Sequence, residues 1–473
     1  MAAETLATFP KGGIHPKESK ELTEKLPVEV MPPPSQVRLF LKQHAGAPCR
    51  VSVKKRVMTT PSEERLFLKR HAGDLYQLLV KKKDKVFEGD LVGSVEKGLG
   101  ANLHASLSGT LEGVENVQHP MVGKAPALVI SADPEAEPRS YSSVDWKKFS
   151  REELIARIKD AGIVGLGGAG FPAHAKLTLG PDVKVDTLIL NGAECEPYLT
   201  SDHRIMVEHP HDIIEGAKII LKILGIDYCA IGIENNKPDA IEALNRAIAQ
   251  DTSKNGYKIA VKPLKVKYPQ GSADQIMQSL TGRVRPAGAR SSAIGIIVQN
   301  VYTTKAIYDA VAFGKPFYER VVTIAGKGIK RPANLMVKVG TSLADIVDYL
   351  GGTTPDLVKV VIGGPMMGFS VSTFDIPITK TTSGVLFLTK DEVDTESYYP
   401  CIRCGFCLEA CPMGLEPNNI GIYVEAGRGA ETEQFGIDDC FECGSCAFVC
   451  PAKRPLVQFI RLAKMKIRES KKK

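Results

Sequence analysis

The stretch that decides the fold lies near the C-terminus, where CIRCGFCLEACP (401–412) is followed by a second copy of the same pattern, CFECGSCAFVCP (440–451). Both copies have the spacing C-x2-C-x2-C-x3-C-P. In this spacing the first three thiolates of a run bind one iron–sulfur cubane, and the fourth cysteine reaches the other cubane. The doubled run therefore predicts a ferredoxin-like α-helical domain with two [4Fe–4S] clusters that share ligands across the copies.

The crossing pattern divides the eight cysteines into two sets. The first set is Cys401, Cys404, Cys407 and Cys450, and the second set is Cys440, Cys443, Cys446 and Cys411. Zinc and disulfide bonds are the alternatives, but a zinc site needs only four thiolates. Eight cysteines in so short a segment, with three elsewhere, favour iron–sulfur ligation. The other three, Cys49, Cys195 and Cys229, are predicted to be ordinary structural thiols.

Composition predicts an ordinary multidomain globular protein. The chain has 473 residues, 43% of them hydrophobic and 24% charged, which is too long for one core and suggests about three domains. The N-terminus lacks a secretory signal, and charges interrupt the longest apolar region. We therefore expect a cytoplasmic protein whose association with a membrane is peripheral. The net charge of +7 is modest, and its lysine runs are either solvated faces or contacts with acidic partners.

The N-terminal part of the chain predicts a small β module. Residues 1–37 are expected to form an extended leader that contributes no core. RLFLKQHAG (38–46) recurs as RLFLKRHAG (65–73), which indicates a tandem duplication within a module at 38–132. From 86 onward, short alternating segments with glycine turns resemble a lipoyl-like barrel-sandwich hybrid without its modified lysine. A linker is predicted at 133–149.

An α/β domain is predicted at 150–318. It begins with a helix capped by Ser150, which leads into GLGGAGFP (165–172). A dinucleotide-binding glycine motif must follow a strand, and this one follows a helix, so it is not an ordinary Rossmann loop. Its glycines instead indicate a loop whose backbone approaches a flat or phosphorylated ligand, with Lys176 at the rim. A buried strand then ends in the polar segment 191–204, either a ligand site at the end of an open sheet or an acid-rich surface loop.

Four blocks of this domain, 165–176, 191–204, 268–282 and 299–303, resemble the flavin-binding, NADH-oxidising subunit of respiratory complex I. With the N-terminal β module and the doubled cysteine run, the whole chain is similar to the RnfC family of the Rnf (Rsx) electron-transport complex. The resemblance implies a multidomain α/β plus α+β chain with an SLBB β-grasp segment at 319–390 and the 2×[4Fe–4S] domain at 391–463.

The resemblance also implies a flavin mononucleotide (FMN) and an NAD(H) site, but no catalytic nucleophile or base. The residues that match the family's cofactor-binding positions are Gly165, Gly167, Gly168, Gly170, Phe171, Lys176, Asn191, Glu194, Glu196, Gln299, Asn300 and Thr303. The implied function is that of a peripheral component of a membrane-bound, ion-translocating ferredoxin:NAD oxidoreductase. It would exchange electrons with NAD(H), with neighbouring subunits, and with ferredoxin directly or through a partner, on the cytoplasmic side of the membrane.

Two other functions remain open at this point. A corrin reductase of the PduS type shares these modules, and a passive iron–sulfur carrier or scaffold could retain a flavin fold without its ligand. At the C-terminus, apolar residues at helical spacing predict a helix over 456–463 that caps the cysteine domain. The apolar spacing continues to Ile467, but little is expected to pack beyond Lys464. Residues 464–473 are therefore predicted to form a basic tail that contacts an anionic membrane surface or a membrane-embedded partner, with a merely solubilising end as the alternative.

Overall fold

The computed structural model describes residues 6–41, 68–70, 73–95, 99–120, 123–252 and 256–471. Within these ranges the chain forms a leader and four modules, which follow one another in sequence. Cys49 and most of the duplicated segment lie outside the described residues. No described helix is both long and apolar enough to span a bilayer.

The leader is extended, but the prediction that it contributes no core is wrong. Phe9, Ile14 and Met31 are buried. Phe9 lies under the Lys267 ammonium, Ile14 packs with Tyr268 and Ala410, and Met31 belongs to the core of a later sheet. The backbone of Ile14 bridges to Tyr268, and the N–H of Gly13 donates to the carbonyl of Ala410 at 3.0 Å. The strand β1 (Val28–Val30) then joins the edge of a later sheet beside residues 334–336. The leader is thus a strap across three modules.

The barrel-sandwich module consists of two four-stranded sheets, ordered β2-β9-β8-β5 and β3-β4-β6-β7. Its strands are β2 (Gln36–Phe40), β3 (Leu68–Arg70), β4 (Gly73–Leu78), β5 (Lys85–Val86), β6 (Leu91–Ser94), β7 (Leu103–His104), β8 (Gly109–His119) and β9 (Gly123–Ala132). Alternating side chains such as Leu39, Leu111 and Ile130 fill its core. The hairpin that lacks the lipoyl lysine is buried, and the Ser106 hydroxyl donates to the Val339 carbonyl at 2.6 Å.

The α/β module is built on a four-stranded parallel sheet with the order β12-β11-β10-β13. Its strands are β10 (Thr187–Asn191), β11 (Tyr228–Glu234), β12 (Lys258–Leu264) and β13 (Ile296–Asn300). Its helices are α1 (Arg151–Asp160), α2 (Ala173–Leu177), α3 (Ser201–Glu208), α4 (Pro210–Leu224), α5 (Pro238–Gln250), α6 (Ala273–Thr281) and α7 (Val301–Phe313). Ser150 caps α1 in a capping box with Glu153, as the sequence predicts. The strand order reverses between β10 and β13, which is where open α/β sheets bind ligands.

The β-grasp module is a six-stranded mixed sheet ordered β1-β15-β14-β18-β16-β17, which includes the leader strand. Its own elements are β14 (Glu319–Ala325), β15 (Ala333–Lys338), α8 (Leu343–Tyr349), β16 (Leu357–Ile362), β17 (Phe369–Val371) and β18 (Gly384–Thr389). Lys380, in the loop before β18, is buried and donates to the carbonyls of Asn102 and Gly162 at 2.8 and 2.9 Å. One ammonium group therefore joins this module to the two before it.

The cysteine module has four helices, α9 (Phe406–Glu409), α10 (Pro417–Glu425), α11 (Ser445–Phe448) and α12 (Leu456–Ser470). The expectation that little packs beyond Lys464 is wrong, because α12 continues to Ser470 and buries Lys464 and Ile467. Contact of the basic tail with a membrane stays a prediction. The Lys464 ammonium donates to the carbonyl of Cys440 at 2.6 Å and to Glu442 at 3.0 Å. A buried acid in the ligand loop thus supplies the counter-charge that lets this lysine enter the module.

Candidate functional site

The first cysteine set lines one cavity. Cys401, Cys404 and Cys407 from the first run, and Cys450 from the second run, surround it together with Asn418, Arg454 and Leu456. The short helix α11 contains Cys446, the third cysteine of the second run. Cys450 follows this helix and lies beside the cysteines of the first run. The structure therefore brings together the four thiols that the spacing places in one set.

The second set is also gathered in one place. Burial raises the pKa of the Cys446 thiol, and the nearby thiols of Cys443, Cys440 and Cys411 raise it further, followed by Cys407 of the adjoining first set. Cys411 is the crossing member, since it comes from the first run. No three His, Cys, Asp or Glu side chains of the described ranges form a site for a single metal ion. Four thiols around a common space are the donor set of a cubane, whose metal atoms spread over a larger volume than one ion.

The two sets differ in their exposure. Cys404 of the first set is exposed, and the adjacent Ile402 and Phe406 are 66% and 51% exposed. The second set lies between α12 and the α/β module. There Cys443 belongs to a small core with Ile14, Cys195 and Tyr268. The Tyr268 hydroxyl donates to the Cys443 carbonyl at 2.7 Å, so the second set is joined directly to the α/β module.

The glycine loop 165–170 lies against the start of α7. The backbone N–H of Leu166 donates to the Thr303 hydroxyl at 2.8 Å, and Gly167 approaches the side chain of Asn300. Gly168 has a φ of +104°, and a Cβ built there would meet no protein atom within 4 Å. The Gly168 backbone thus faces open space at the edge of the sheet, as a cradle for a flat ligand requires. The N–H of Gly165 closes the loop by donating to the carbonyl of the half-buried Phe171 at 2.8 Å.

Asn191 and Asn300 are the last residues of β10 and β13, and they pair directly across the switch point. The Asn191 amide donates to the carbonyl of Gly271 at 2.7 Å. The Asn300 amide donates to Asp202 at 2.6 Å, while its oxygen caps α7 through the N–H of Thr303. Two separated parts of the sequence therefore meet at the site that this topology provides for a ligand.

Gln299 and Lys176 are two further side chains of this site that could bind a ligand. Gln299 is buried, and its Nε2 has no hydrogen-bond partner among the described residues. The Lys176 ammonium donates to the Val298 carbonyl at 2.9 Å, and burial lowers its pKa to about 8. An amide donor and a cation that is hydrogen-bonded to a carbonyl are suited to an anionic group such as a phosphate. These residues fit FMN.

The two glutamates of the polar segment have structural partners. Glu194, at a φ of +46°, accepts from the N–H groups of Asp202 and His203 at 2.7 and 3.1 Å and so caps α3. Glu196 accepts from the N–H groups of Met366 and Met367 at 3.1 and 3.0 Å. Burial nevertheless raises the pKa of Glu196 to about 7. The segment is therefore an ordered wall of the site rather than a solvated surface loop.

Sequence reasoning missed three residues of this region. Asp202 is bonded to Asn300, and burial followed by the nearby Glu194 raises its pKa. Lys20 of the leader donates to the carbonyls of Glu194 and Glu196 at 2.8 and 3.1 Å. Tyr268 reaches the second cysteine set. The signal for Asp202 is its place in the polar segment, and that for Tyr268 is its place at the start of the block 268–282. Nothing local marks Lys20.

Of the remaining described cysteines, Cys229 is buried and Cys195 is half-buried, and neither is activated. Cys229 lies within β11, and burial raises its pKa. Burial likewise raises the pKa of Cys195, and the nearby Glu234 adds to this effect. Neither environment favours a reactive thiolate.

Comparisons with known proteins match all four modules. Residues 8–60 and 56–135 match the RnfC barrel sandwich hybrid domain, 158–309 the Nuo51 FMN-binding domain, 321–370 the SLBB domain, and 397–454 a 4Fe-4S dicluster domain. An NAD+-reducing [NiFe]-hydrogenase structure aligns with a TM-score of 0.49 and 17% identity over 68% of this chain and 63% of its own. So remote a likeness supports no functional conclusion.

Full-length relatives agree with these matches. The C subunit of the proton-translocating ferredoxin:NAD(+) oxidoreductase complex from Clostridium ljungdahlii is 42% identical over 96% of this chain and 93% of its own length. The Na(+)-translocating counterpart from Acetobacterium woodii is 38% identical over 97% and 96%, and the C subunit of an ion-translocating oxidoreductase complex from Rhodobacter capsulatus is 36% identical over 97% and 83%. The chain therefore belongs to the RnfC family, the C subunits of ion-translocating ferredoxin:NAD oxidoreductase complexes, and combines an FMN-binding domain with an iron–sulfur domain.

Proposed function

We propose that this chain is the subunit that exchanges electrons between NAD(H) and the rest of its complex, through FMN and two [4Fe–4S] clusters. Bound FMN supplies the conversion between the two-electron hydride of NADH and one-electron carriers. The glycine loop, Gln299, Asn300, Thr303 and Lys176 would hold it. Asn191, Glu194, Glu196 and Phe171 would shape the adjoining nicotinamide site. No side chain is required as a nucleophile or base.

The observation that carries this proposal is the contact between Tyr268 and Cys443. Tyr268 is 2% exposed, and its hydroxyl lies 2.7 Å from the Cys443 carbonyl and 3.5 Å from the Glu196 carboxylate. The wall of the flavin site and the second cysteine set therefore share one buried side chain. Such proximity is what transfer from a flavin to a cluster needs.

The difference in exposure between the two cysteine sets supports an order of transfer. The second set adjoins the α/β module, and the first set adjoins the surface at Cys404. We infer that electrons pass between the flavin and the second set, then between the two sets, and that a neighbouring subunit or ferredoxin exchanges them with the first set. In this proposal the chain acts peripherally, on the cytoplasmic side of the membrane.

The test is anaerobic purification of the chain, followed by iron, sulfide and flavin analysis and titration with NADH. About eight irons and eight sulfides per chain are expected, because two cubanes require them, together with one FMN. NADH should bleach both the flavin and the cluster absorbance. Zinc, or only four irons, would contradict the cluster assignment. Intact clusters without flavin or NADH response would indicate a passive carrier, and NADH-dependent reduction of cobalamin would indicate a corrin reductase.

A further inference from the structure

Arg454 is a buried cation at the cavity of the first cysteine set. Its side chain is 3% exposed and forms part of the cavity wall, beside Cys401, Cys407 and Cys450. Its Nε–H group is buried and has no hydrogen-bond partner among the described residues. A buried guanidinium donor without an acceptor is costly, so its place beside four thiols requires an explanation.

The rest of the guanidinium is firmly held. Nη2 donates to the Glu425 carboxylate at 2.6 Å, and the group lies over the ring of Phe459, 5.4 Å from its centroid. Glu425 belongs to α10 and Phe459 to α12. The ion pair therefore fixes the orientation of the side chain and leaves Nε as the donor without a protein partner in the part of the chain that the structure describes.

A second polar group of the cavity wall shows the same pattern. The side-chain oxygen of Asn418 is buried without a hydrogen-bond partner among the described residues, and Asn418 also lines this cavity. Its amide NH2 group donates to the Asn419 side-chain oxygen at 3.4 Å, so the unmatched group is an acceptor. The buried donor at this cavity that a ligand rich in acceptors would satisfy is therefore the Nε–H of Arg454.

The duplicated cysteine runs differ at the position of Arg454. Arg454 follows Cys450 by four residues, and the equivalent residue four positions after Cys411 is Leu415. At the second set this position supplies a backbone N–H, which donates to the Cys411 thiol at 3.3 Å, and its side chain carries no charge. A buried guanidinium at this position is therefore particular to the first set.

We propose that Arg454 donates its Nε–H to a sulfur of the cluster held by the first set and thereby raises the reduction potential of that cluster. Reduction adds one electron to the cluster, and a hydrogen-bond donor with a fixed positive charge stabilises the more negative, reduced form. The inference rests on the proposed two-cluster function. Arg454 would then set the reduction potential of the cluster held by the first set.

The experiment is a redox titration of the anaerobically purified full chain, followed by electron paramagnetic resonance. In Arg454→Gln, the ratio of reduced to oxidised first-set cluster at a given potential should fall at least tenfold, which is about 59 mV for a one-electron couple. The second-set signal should not move. Lys464→Met is the matched control, since it removes a buried cation from the second set and should shift only the other signal.

Each result decides the inference. In Arg454→Gln with eight irons retained, a fall in the ratio of reduced to oxidised first-set cluster of less than tenfold would overturn it. If Arg454→Gln loses the first-set cluster, Arg454→Lys replaces it, because lysine can pair with Glu425 but has no Nε–H; a lowered potential supports the inference and an unchanged one refutes it. Failure of the underlying two-cluster assignment is distinguishable, since the native chain would then contain fewer than eight irons.

Discussion

Replacing Tyr268 with phenylalanine tests the contact between the α/β module and the cysteine module. The substitution keeps the ring in its small core with Ile14 and Cys195 but removes the hydroxyl that donates to the Cys443 carbonyl. Because the site is buried, the Cys443 carbonyl is then left without this donor. A lost hydrogen bond with an unpaired buried carbonyl costs about 1–3 kcal/mol. The population in which the cysteine module detaches should therefore rise about 5- to 150-fold.

Native-state hydrogen exchange measures that population. In Tyr268→Phe, amides of the Cys443 loop and its surroundings should exchange faster by this factor, and NADH should reduce the clusters more slowly while still reducing the flavin at its native rate. Tyr198→Phe is the control, because it loses a comparable bond, 2.9 Å to Glu392, that involves neither cysteine run. Equal effects of the two variants, or unchanged exchange in the cysteine module, would refute the reasoning.

Three further predictions concern the cluster ligands, the glycine loop and a buried acid. Because Cys411 and Cys450 cross between the runs, Cys450→Ser should damage the cluster of the first set and Cys411→Ser that of the second. If electron paramagnetic resonance instead shows loss of the cluster held by the run that carries the substitution, the crossing is contradicted. Gly168→Val should abolish flavin retention but keep the full iron content, since its side chain enters the open space of the cradle and its φ of +104° strains any side chain; full flavin content would exclude the loop as the site. Burial raises the pKa of Glu196 from 4.5 to about 7, so the folded state binds a proton in that window and stability should fall as pH rises through it. In Glu196→Gln this fall should be smaller when denaturant midpoints at pH 5 and pH 8 are compared, and identical pH profiles would count against a buried, protonated Glu196.

The cysteine sets and the switch-point asparagines could be predicted because their information is local. The spacing within each run determines which thiols a short turn can gather, and Asn191 and Asn300 each follow a recognisable buried strand. The ends of neighbouring parallel strands lie at the same edge of a sheet, so no further sequence motif is needed to predict that these residues are close together. The order of the modules along the chain could also be predicted, since each module has its own pattern of turns and apolar residues.

The errors arise where distant residues supply the partner. The basic residues from 464 onward predict a tail with little left to pack, yet Glu442 neutralises Lys464 inside the fold. Lys20 belongs to a leader whose composition predicts no core, although the carbonyls that receive it lie more than 170 residues further along the chain. The bonds from the Glu194 carboxylate to the start of α3 were likewise not predicted, and its role as a cofactor-binding group stays a prediction.

The strap formed by the leader has a consequence for how the protein is made. A ribosome produces residues 6–31 long before residues 410 and 411. Gly13 nevertheless bonds to Ala410, and Gly12 fits so tightly against the Cys411 backbone that a Cβ there would lie 2.5 Å from it. At about 5–20 residues per second, about 20–80 s separate the synthesis of the two partners. Throughout that time Ile14 lacks Ala410, which is part of its final cover. Closure of the strap is thus a late event in maturation, and it requires the loop around Cys411 to have taken its final course.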